Sequence, residues 1–363
     1  MIDEDDILFE REGGVATVTL NRPAALNAFT LAMYRRFDPM LRQWADDPGV
    51  HAVLVRGAAG RAFCAGGDIR AIYEAGMGIA GDPALPAEFF RDEYRAIRRV
   101  HRYPKPYIAV IDGITMGGGA GVAVNGRYCI ATEQTMFAMP ETGIGLFPDV
   151  GASRFLNLCP GRIGRYLGLA GARIGPADAL YCGVATHFVP REQVPAFTGR
   201  LAATVWREGE EDAQVGEAIA AFAADPGTPP LAARRVAIDR CFAGDTVEAI
   251  RDALAVEAST GGPDSQWAAD ISAALLTKSP TSLKIALRQL TIGRGCDIEG
   301  ALALEYRITQ HVMRGHDFYE GVRAAIIDKD QRPDWRPATL AEATDAIVAA
   351  YFAPLGAGEL RFD

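Results

Sequence analysis

Short apolar segments alternate with helical patterns through the first two hundred residues, and this alternation constrains the fold more than any other feature. Val15–Leu20 alternates apolar and polar residues as a half-buried strand does, and shorter apolar runs stand at 52–55, 107–111 and 128–131. Helical patterns separate these runs, the first of them after Thr30, which suits an N-cap. Strands that alternate with helices predict an α/β layered domain with a largely parallel sheet.

The pattern changes after about residue 200, where polar, breaker-rich stretches are followed by almost wholly helical periodicity. The helical segments are 246–258, 282–290, 298–314 and 318–327. Thr246 and Asp297 suit the N-cap positions of two of them. We therefore predict an α/β core over residues 1–205 and a helical C-terminal region over residues 206–363.

Composition and charge exclude several classes of protein. The chain has 37 Lys and Arg against 46 Asp and Glu, and the net charge of −9 argues against general nucleic-acid binding. No apolar run approaches the roughly 18 residues that a membrane span needs. The 6 cysteines form no C-x-x-C pair and the 5 histidines do not cluster, so we predict reduced thiols and no metal site. The acidic N-terminus is unlike a basic targeting peptide and predicts a cytoplasmic protein.

Two glycine-rich bends each follow a predicted strand and precede a predicted helix. The first contains Gly66 and Gly67 ahead of Asp68, and the second contains the triplet 117–119. Amides at such a junction have no partner within the helix and can point at negative charge, while glycine lets a ligand approach the backbone. Either bend alone fits an ordinary tight turn. The two together could converge on one oxygen as a two-amide oxyanion hole.

Three carboxylates lie where a charged group needs either a partner or a function. Glu141 and Asp149 occur in an apolar, glycine-rich stretch with no basic residue before Arg154. Burial there raises a carboxyl pKa towards neutrality, as a general acid or base requires. A turn residue at Glu141 and an N-cap at Asp149 are equally open interpretations. Glu93 shares a helical stripe with apolar residues, where the pattern favours an ion pair with a nearby arginine over a functional role.

Several motifs, in their order and spacing, resemble the crotonase (enoyl-CoA hydratase/isomerase) superfamily. They are residues 21–23, 26–29, 62–68 and the bend at 117–119. The resemblance implies a crotonase-like core of stacked ββα units with trailing helices, and an acyl-CoA thioester as the small-molecule partner. It also implies that the amides of Gly67 and Gly118 bind the thioester oxygen. No separate cofactor is implied, because CoA is part of the substrate, and the oligomeric state stays open.

Further motifs resemble the 3-hydroxyisobutyryl-CoA hydrolase branch of that superfamily, which acts in valine breakdown. They are residues 116–119, 139–142, 147–151, 185–189, 279–284 and 313–318, so the resemblance covers nearly the whole chain. The first catalytic glutamate of the hydratases falls on Gly121 here, whereas the second falls on Glu141. The resemblance therefore implies thioester hydrolysis with Glu141 and Asp149 as catalytic residues. Substrate contacts are implied for Glu93, Gly118, Glu141 and Asp149.

Two other functions and two chemical routes remain open. An enoyl-CoA hydratase or isomerase that uses Glu141 alone is weakened by Gly121. A non-catalytic acyl-CoA-binding relative is weakened because both Glu141 and Asp149 are present. No Ser-His-Asp set is evident, so Glu141 either attacks the thioester and forms a mixed anhydride or activates a water molecule. Asp149 would then orient that water or protonate the leaving thiolate.

Overall fold

The computed structural model describes residues 4–58 and 60–362 of the chain. The chain forms two compact units, and each of them is assembled from separate stretches of sequence. The first unit comprises Met1–Asp68, Asp92–Phe137 and Ile174–Pro229, and the second comprises Ile69–Arg91, Ala138–Arg173 and Pro230–Asp363. The sequence predicted a single boundary between residues 205 and 206, with a core before it and a helical region after it. That boundary stays a prediction.

The strands form two sheets, the larger of which is the framework of the first unit. In chain order they are β1 Ile7–Glu12, β2 Val15–Leu20, β3 Ala52–Gly57, β4 Ala62–Cys64, β5 Tyr107–Ile111, β6 Ile114–Met116, β7 Tyr128–Ala131, β8 Met136–Ala138 and β9 His187–Phe188. The larger sheet has the order β1-β2-β3-β5-β7-β9, and β4-β6-β8 form the smaller one. In the larger sheet β1 pairs antiparallel with β2, and every later pair is parallel.

The central strands form where the sequence predicts them, because their residues are apolar on both faces. All five residues of β5 are buried, as is typical of a parallel strand covered on both sides. The predicted strands β2, β5 and β7 have the bounds expected from the sequence, and β3 continues two residues further, to Gly57. β1 lies at the edge of the sheet and its second half is exposed, so its charged sequence gave no strand signal.

The α-helices, in chain order, are α1 Leu31–Asp46, α2 Ile69–Gly76, α3 Leu85–His101, α4 Gly118–Val124, α5 Ala152–Leu158, α6 Ile163–Ala170, α7 Pro176–Tyr181, α8 Val194–Ala202, α9 Glu211–Ala220, α10 Pro230–Cys241, α11 Val247–Ser259, α12 Ser265–Leu276, α13 Pro280–Ile292, α14 Ile298–Val312, α15 Asp317–Val322 and α16 Asp345–Ala350. In the first unit, α8 and α9 pack their apolar residues on the β2, β3, β5 and β7 side chains of the larger sheet. Among the described residues, no helix is both long and apolar enough to cross a membrane.

Residues 230–362 of the second unit contain helices and no strand, as the sequence predicts. Thr246 caps α11 by accepting a hydrogen bond from the amide of Ala249, and Asp297 caps α14 through the amide of Gly300. The predicted helix over 318–327 is instead α15 followed by a π-helical turn, Arg323–Ile327. The predicted class, an α/β fold with a helical C-terminal region, is confirmed.

Candidate active site

The two glycine-rich bends lie side by side in the first unit. A Cβ atom placed on Gly66 would stand 3.7 Å from the amide nitrogen of Gly118, and one placed on Gly118 would stand 3.5 Å from that of Gly67. Strand β4 leads into the first bend and β6 leads into the second, and these two strands pair in parallel. Parallel pairing brings both bends to the same edge of the smaller sheet, which explains why they meet.

The amides of Gly67 and Gly118 differ from those around them. The amide of Asp68 donates to the carbonyl of Phe29 at 2.7 Å, and the amide of Gly66 donates to Cys64 Sγ at 3.4 Å. Within residues 4–58 and 60–362, the amides of Gly67 and Gly118 donate no hydrogen bond. Two neighbouring donors without acceptors are compatible with an oxyanion hole. That role for Gly67 and Gly118 stays a prediction.

Glu93 of α3 lies against the second bend. Its side chain is only 2% exposed, and Oε1 accepts a hydrogen bond of 2.7 Å from the hydroxyl of Tyr34 in α1. A Cβ atom on Gly118 would stand 2.4 Å from Glu93 Oε1, so the carboxylate packs directly on the glycine backbone. The sequence did not predict Tyr34, because nothing local distinguishes it from the other aromatic residues of the buried face of α1.

Glu141 and Asp149 belong to the second unit and are 4% and 3% exposed. Oε2 of Glu141 is buried and has no hydrogen-bond partner among the described residues. Burial raises the pKa of Glu141 well above its ordinary value, and the nearby charge of Asp149 raises it further. The predicted effect of an apolar setting on this carboxyl is therefore present. A buried acid with a raised pKa suits proton transfer near neutral pH.

The sequence also allowed structural roles for the two carboxylates, a turn residue at Glu141 and an N-cap at Asp149, and the structure agrees with only the first. Glu141 does begin a short turn, the 3-10 helix Glu141–Ile144, so it is a turn residue as well as a buried acid. Asp149 is not the N-cap of α5, because that position belongs to Gly151. The N-cap interpretation of Asp149 is therefore wrong, and burial of this carboxylate has to be explained in another way.

Lys278 is a charged neighbour of Glu141 that the sequence did not predict. Its Nζ atom would stand 3.1 Å from a Cβ atom on Gly143, which lies in the Glu141–Ile144 turn. Burial lowers the pKa of Lys278, whereas the charge of Glu141 raises it, and in return Lys278 lowers the pKa of Glu141. Only the fold brings the lysine, just ahead of α13, to a segment that has no cation near it in sequence.

A third buried carboxylate, Glu305 of α14, was also missed. It is fully buried and accepts hydrogen bonds from the amides of Gly151 and Ser153 at 2.7 and 2.8 Å. The pKa of Glu305 is raised to about 8, and burial of the carboxyl group is the main reason. Within the part of the chain that the structure describes, no group of three or more His, Cys, Asp or Glu side chains is arranged to hold a metal ion.

The sequence model of the enoyl-CoA hydratase/isomerase family matches residues 15–352. A 3-hydroxyisobutyryl-CoA hydrolase of Xenopus tropicalis, named as mitochondrial, is 43% identical over 362 residues, which are 99% of this chain and 92% of that protein. The human protein of the same name is 42% identical over 360 residues, which cover 99% of this chain and 91% of the relative.

Two solved structures share the fold over almost their whole length. A protein of Mycobacterium thermoresistibile, described as a carnitinyl-CoA dehydratase, is 40% identical with a TM-score of 0.90, and the match covers 99% of each chain. A protein of Rhodobacter sphaeroides 2.4.1, described as an enoyl-CoA hydratase, is 39% identical with a TM-score of 0.87, covering 98% of this chain and 100% of that one.

The cytoplasmic location predicted from the acidic N-terminus is wrong, because it disagrees with these relatives. The hydrolases of Xenopus tropicalis, Xenopus laevis and Homo sapiens match 99% of this chain and are named as mitochondrial proteins. The charge of a few N-terminal residues was therefore too weak a basis for a prediction of location.

Proposed function

The chain belongs to the enoyl-CoA hydratase/isomerase family, and on that premise we propose that it hydrolyses the thioester of 3-hydroxyisobutyryl-CoA to the free acid and CoA. The observation that carries the proposal is Glu141, a buried carboxylate with a raised pKa and one oxygen without a partner, in a chain 43% identical to named hydrolases over 99% of its length. Such a substrate assigns the reaction to valine breakdown. The proposal includes no cofactor apart from the CoA of the substrate.

Hydration of a double bond is the second candidate, and the names of the two solved structures favour it. The first hydratase glutamate falls on Gly121, however, and this residue is buried in α4 without a side chain to move a proton. Glu141 would have to perform both proton transfers of a hydration alone. Hydrolysis requires one attack and one leaving group, for which Glu141 and Asp149 together are sufficient.

The proposed net reaction adds water across the carbon–sulfur bond of the thioester, which gives a carboxylic acid and a thiol. Negative charge develops on the carbonyl oxygen, and we assign the amides of Gly67 and Gly118 to that oxygen. Donors that are already fixed stabilise such charge without reorganisation. In one route Glu141 takes a proton from the water that attacks the carbonyl, and the thiolate then leaves. In the other, Glu141 attacks the carbonyl and expels the thiolate, and water then hydrolyses the mixed anhydride to the free acid and restores the Glu141 carboxylate. Asp149 orients the water or protonates the leaving thiolate.

A panel of three thioesters tests the proposal. 3-Hydroxyisobutyryl-, 3-hydroxypropionyl- and crotonyl-CoA are incubated with the protein, and free thiol and double-bond absorbance are followed separately. We expect thiol release from the two hydroxyacyl thioesters and no loss of the crotonyl double bond. Loss of the double bond without thiol release would identify a hydratase, and binding of all three without turnover would identify a non-catalytic relative.

We propose that Glu93 binds the hydroxyl of the acyl group. Glu93→Gln keeps the size of the side chain and an acceptor for Tyr34, but it replaces the second carboxylate oxygen by a donor. We expect kcat/KM to fall about 10- to 100-fold more for 3-hydroxyisobutyryl-CoA than for isobutyryl-CoA, since a hydrogen bond to a charged group is lost only with the former. Asp92→Asn is the matched control, because the preceding carboxylate pairs with Arg35 at 3.0 Å. An equal loss of kcat/KM for both thioesters would mean that Glu93 has a structural role and does not bind the hydroxyl.

Lys278 should set the pH dependence through Glu141. Its positive charge lowers the pKa of a carboxylate that must be ionised to attack or to accept a proton. Lys278→Met removes that charge and raises the pKa of Glu141, so the acid limb of the kcat/KM profile should move to higher pH while activity recovers above it. Lys284→Met is the control, because Lys284 pairs with Glu248 at 2.7 Å. An unmoved limb, measured by thiol release, would contradict the coupling.

A further inference from the structure

The segment 148–153, which carries Asp149, has a backbone that its own sequence does not favour. Val150 has a φ of +56°, a left-handed conformation that is an outlier for a β-branched residue, and Gly151 follows at +92°. Val150 is fully buried, so protein groups around it, and not water, must hold the backbone in this conformation. Backbone of this kind persists only where the surrounding groups over-determine it.

Glu305 of α14 holds the side of the segment that follows Asp149. Its Oε2 accepts from the amide of Gly151 at 2.7 Å and its Oε1 accepts from the amide of Ser153 at 2.8 Å. The amide between them, that of Ala152, donates to the carbonyl of Asp149 at 2.9 Å. Three successive amides are therefore fixed, two of them by one carboxylate.

Gln289 of α13 holds both ends of the same segment. Its Nε2 donates to the carbonyl of Pro148, immediately before Asp149, and to Ser153 Oγ at 2.9 Å. Close packing supports these bonds, because a Cβ atom on Gly293 would stand 2.6 Å from the carbonyl oxygen of Ser153. Two helices that are far from this segment in sequence, α13 and α14, thus fix the backbone on both sides of the buried aspartate.

The choice of a carboxylate at position 305 has a chemical reason. Two amides that point at one side chain require two acceptors, and only a carboxylate presents two oxygens without a donor. Glutamine would turn an NH₂ group towards one of the amides. Burial raises the pKa of Glu305 to about 8, whereas the hydrogen bonds from the amides of Gly151 and Ser153 lower it, so these two amides favour the carboxylate form.

We propose that Glu305 and Gln289 form a clamp, defined by these two side chains, that positions Asp149 for the reaction. Neither is a catalytic residue; both act through the backbone of the segment 148–153. The inference rests on the proposed function, because it assigns a consequence to the placement of Asp149 in thioester hydrolysis.

The test combines kinetics with amide hydrogen exchange on the whole chain. Glu305→Gln and Gln289→Met should each lower kcat for thiol release about 10- to 100-fold with KM within about twofold, because small misplacements cost rate rather than binding. Exchange of the amides in 148–153 should become faster. Glu257→Gln is the matched control. Glu257 is also a buried glutamate, but its partner is Arg240 and not the segment 148–153, so this substitution should leave kcat unchanged.

A double variant separates positioning from a general loss of structure. In an Asp149→Asn background, Glu305→Gln should cost at most about twofold more, because residues that act through one group are not additive. Full multiplication of the two losses, or a normal kcat in both clamp variants, would overturn the inference. If the wild-type protein released no thiol, the proposed function would fail, and exchange would still decide the clamp: faster exchange in Glu305→Gln supports it, and unchanged exchange overturns it.

Discussion

Glu141→Gln is expected to lower the rate of thiol release from 3-hydroxyisobutyryl-CoA by about 10²–10⁴-fold, which is the usual contribution of a general base. Glutamine has the same size but can neither attack the thioester nor take a proton from water. Oε2 of Glu141 has no partner in the described chain, so the new amide group breaks no hydrogen bond there. Substrate binding should therefore survive while hydrolysis collapses.

The same variant should gain stability at neutral pH. A carboxyl whose pKa is raised in the folded state lowers the stability of the protein as pH rises from its unfolded pKa to its folded pKa, because over that range the unfolded chain releases the proton while the folded chain retains it. Replacement by a neutral amide removes that loss, so the melting temperature at pH 7 should rise. A cost in stability for an active group is common at catalytic sites.

Thiol release, thermal unfolding and titration with substrate, all on purified variants, check these expectations. Glu248→Gln is the control, since this glutamate is partly exposed and pairs with Lys284. Asp149→Asn should also lower kcat, by less, and the double variant should be little worse than the poorer single one. A folded Glu141→Gln protein that hydrolyses at a near-normal rate would contradict the mechanism and remove the main support for a hydrolase.

The parts of the fold that the sequence predicted are those with local signals. β5 is an unbroken apolar run between polar turns, and Thr246 and Asp297 are N-cap side chains directly before their helices. β1 escaped prediction because an edge strand needs no apolar pattern along its exposed half. The two-unit arrangement also has no local signal, since each unit combines stretches from distant parts of the chain.

The candidate site divides in the same way. The glycine bends were found because glycine at a strand end is visible in sequence, and parallel pairing of β4 with β6 then brings them together. Tyr34, Lys278 and Glu305 were missed because each acts on a residue far along the chain. A glutamate such as Glu305 differs from any surface glutamate only through the two amides that tertiary packing brings to it.

Gly118→Pro is expected to lower kcat by roughly 10²–10³-fold, the cost of one oxyanion donor. Gly118 is the first residue of α4, a position where helices accept proline, and Gly117 has no Cβ to clash with the ring. The substitution removes the amide hydrogen and also adds a Cβ atom 2.4 Å from Glu93 Oε1. Gly118→Ala adds the same atom but keeps the donor, so it is the matched control for steric damage.

The loss in Gly118→Pro should exceed that in Gly118→Ala, and it should be similar for 3-hydroxyisobutyryl-CoA and isobutyryl-CoA, because every thioester develops charge on its carbonyl oxygen. Damage that acts only through Glu93 would instead fall on the hydroxyacyl substrate. Gly216→Ala, in a helix with no atom within 4 Å of the new Cβ, gives the baseline for a harmless glycine replacement. Equal kcat values for the proline and alanine variants, both folded, would exclude the Gly118 amide as an oxyanion donor.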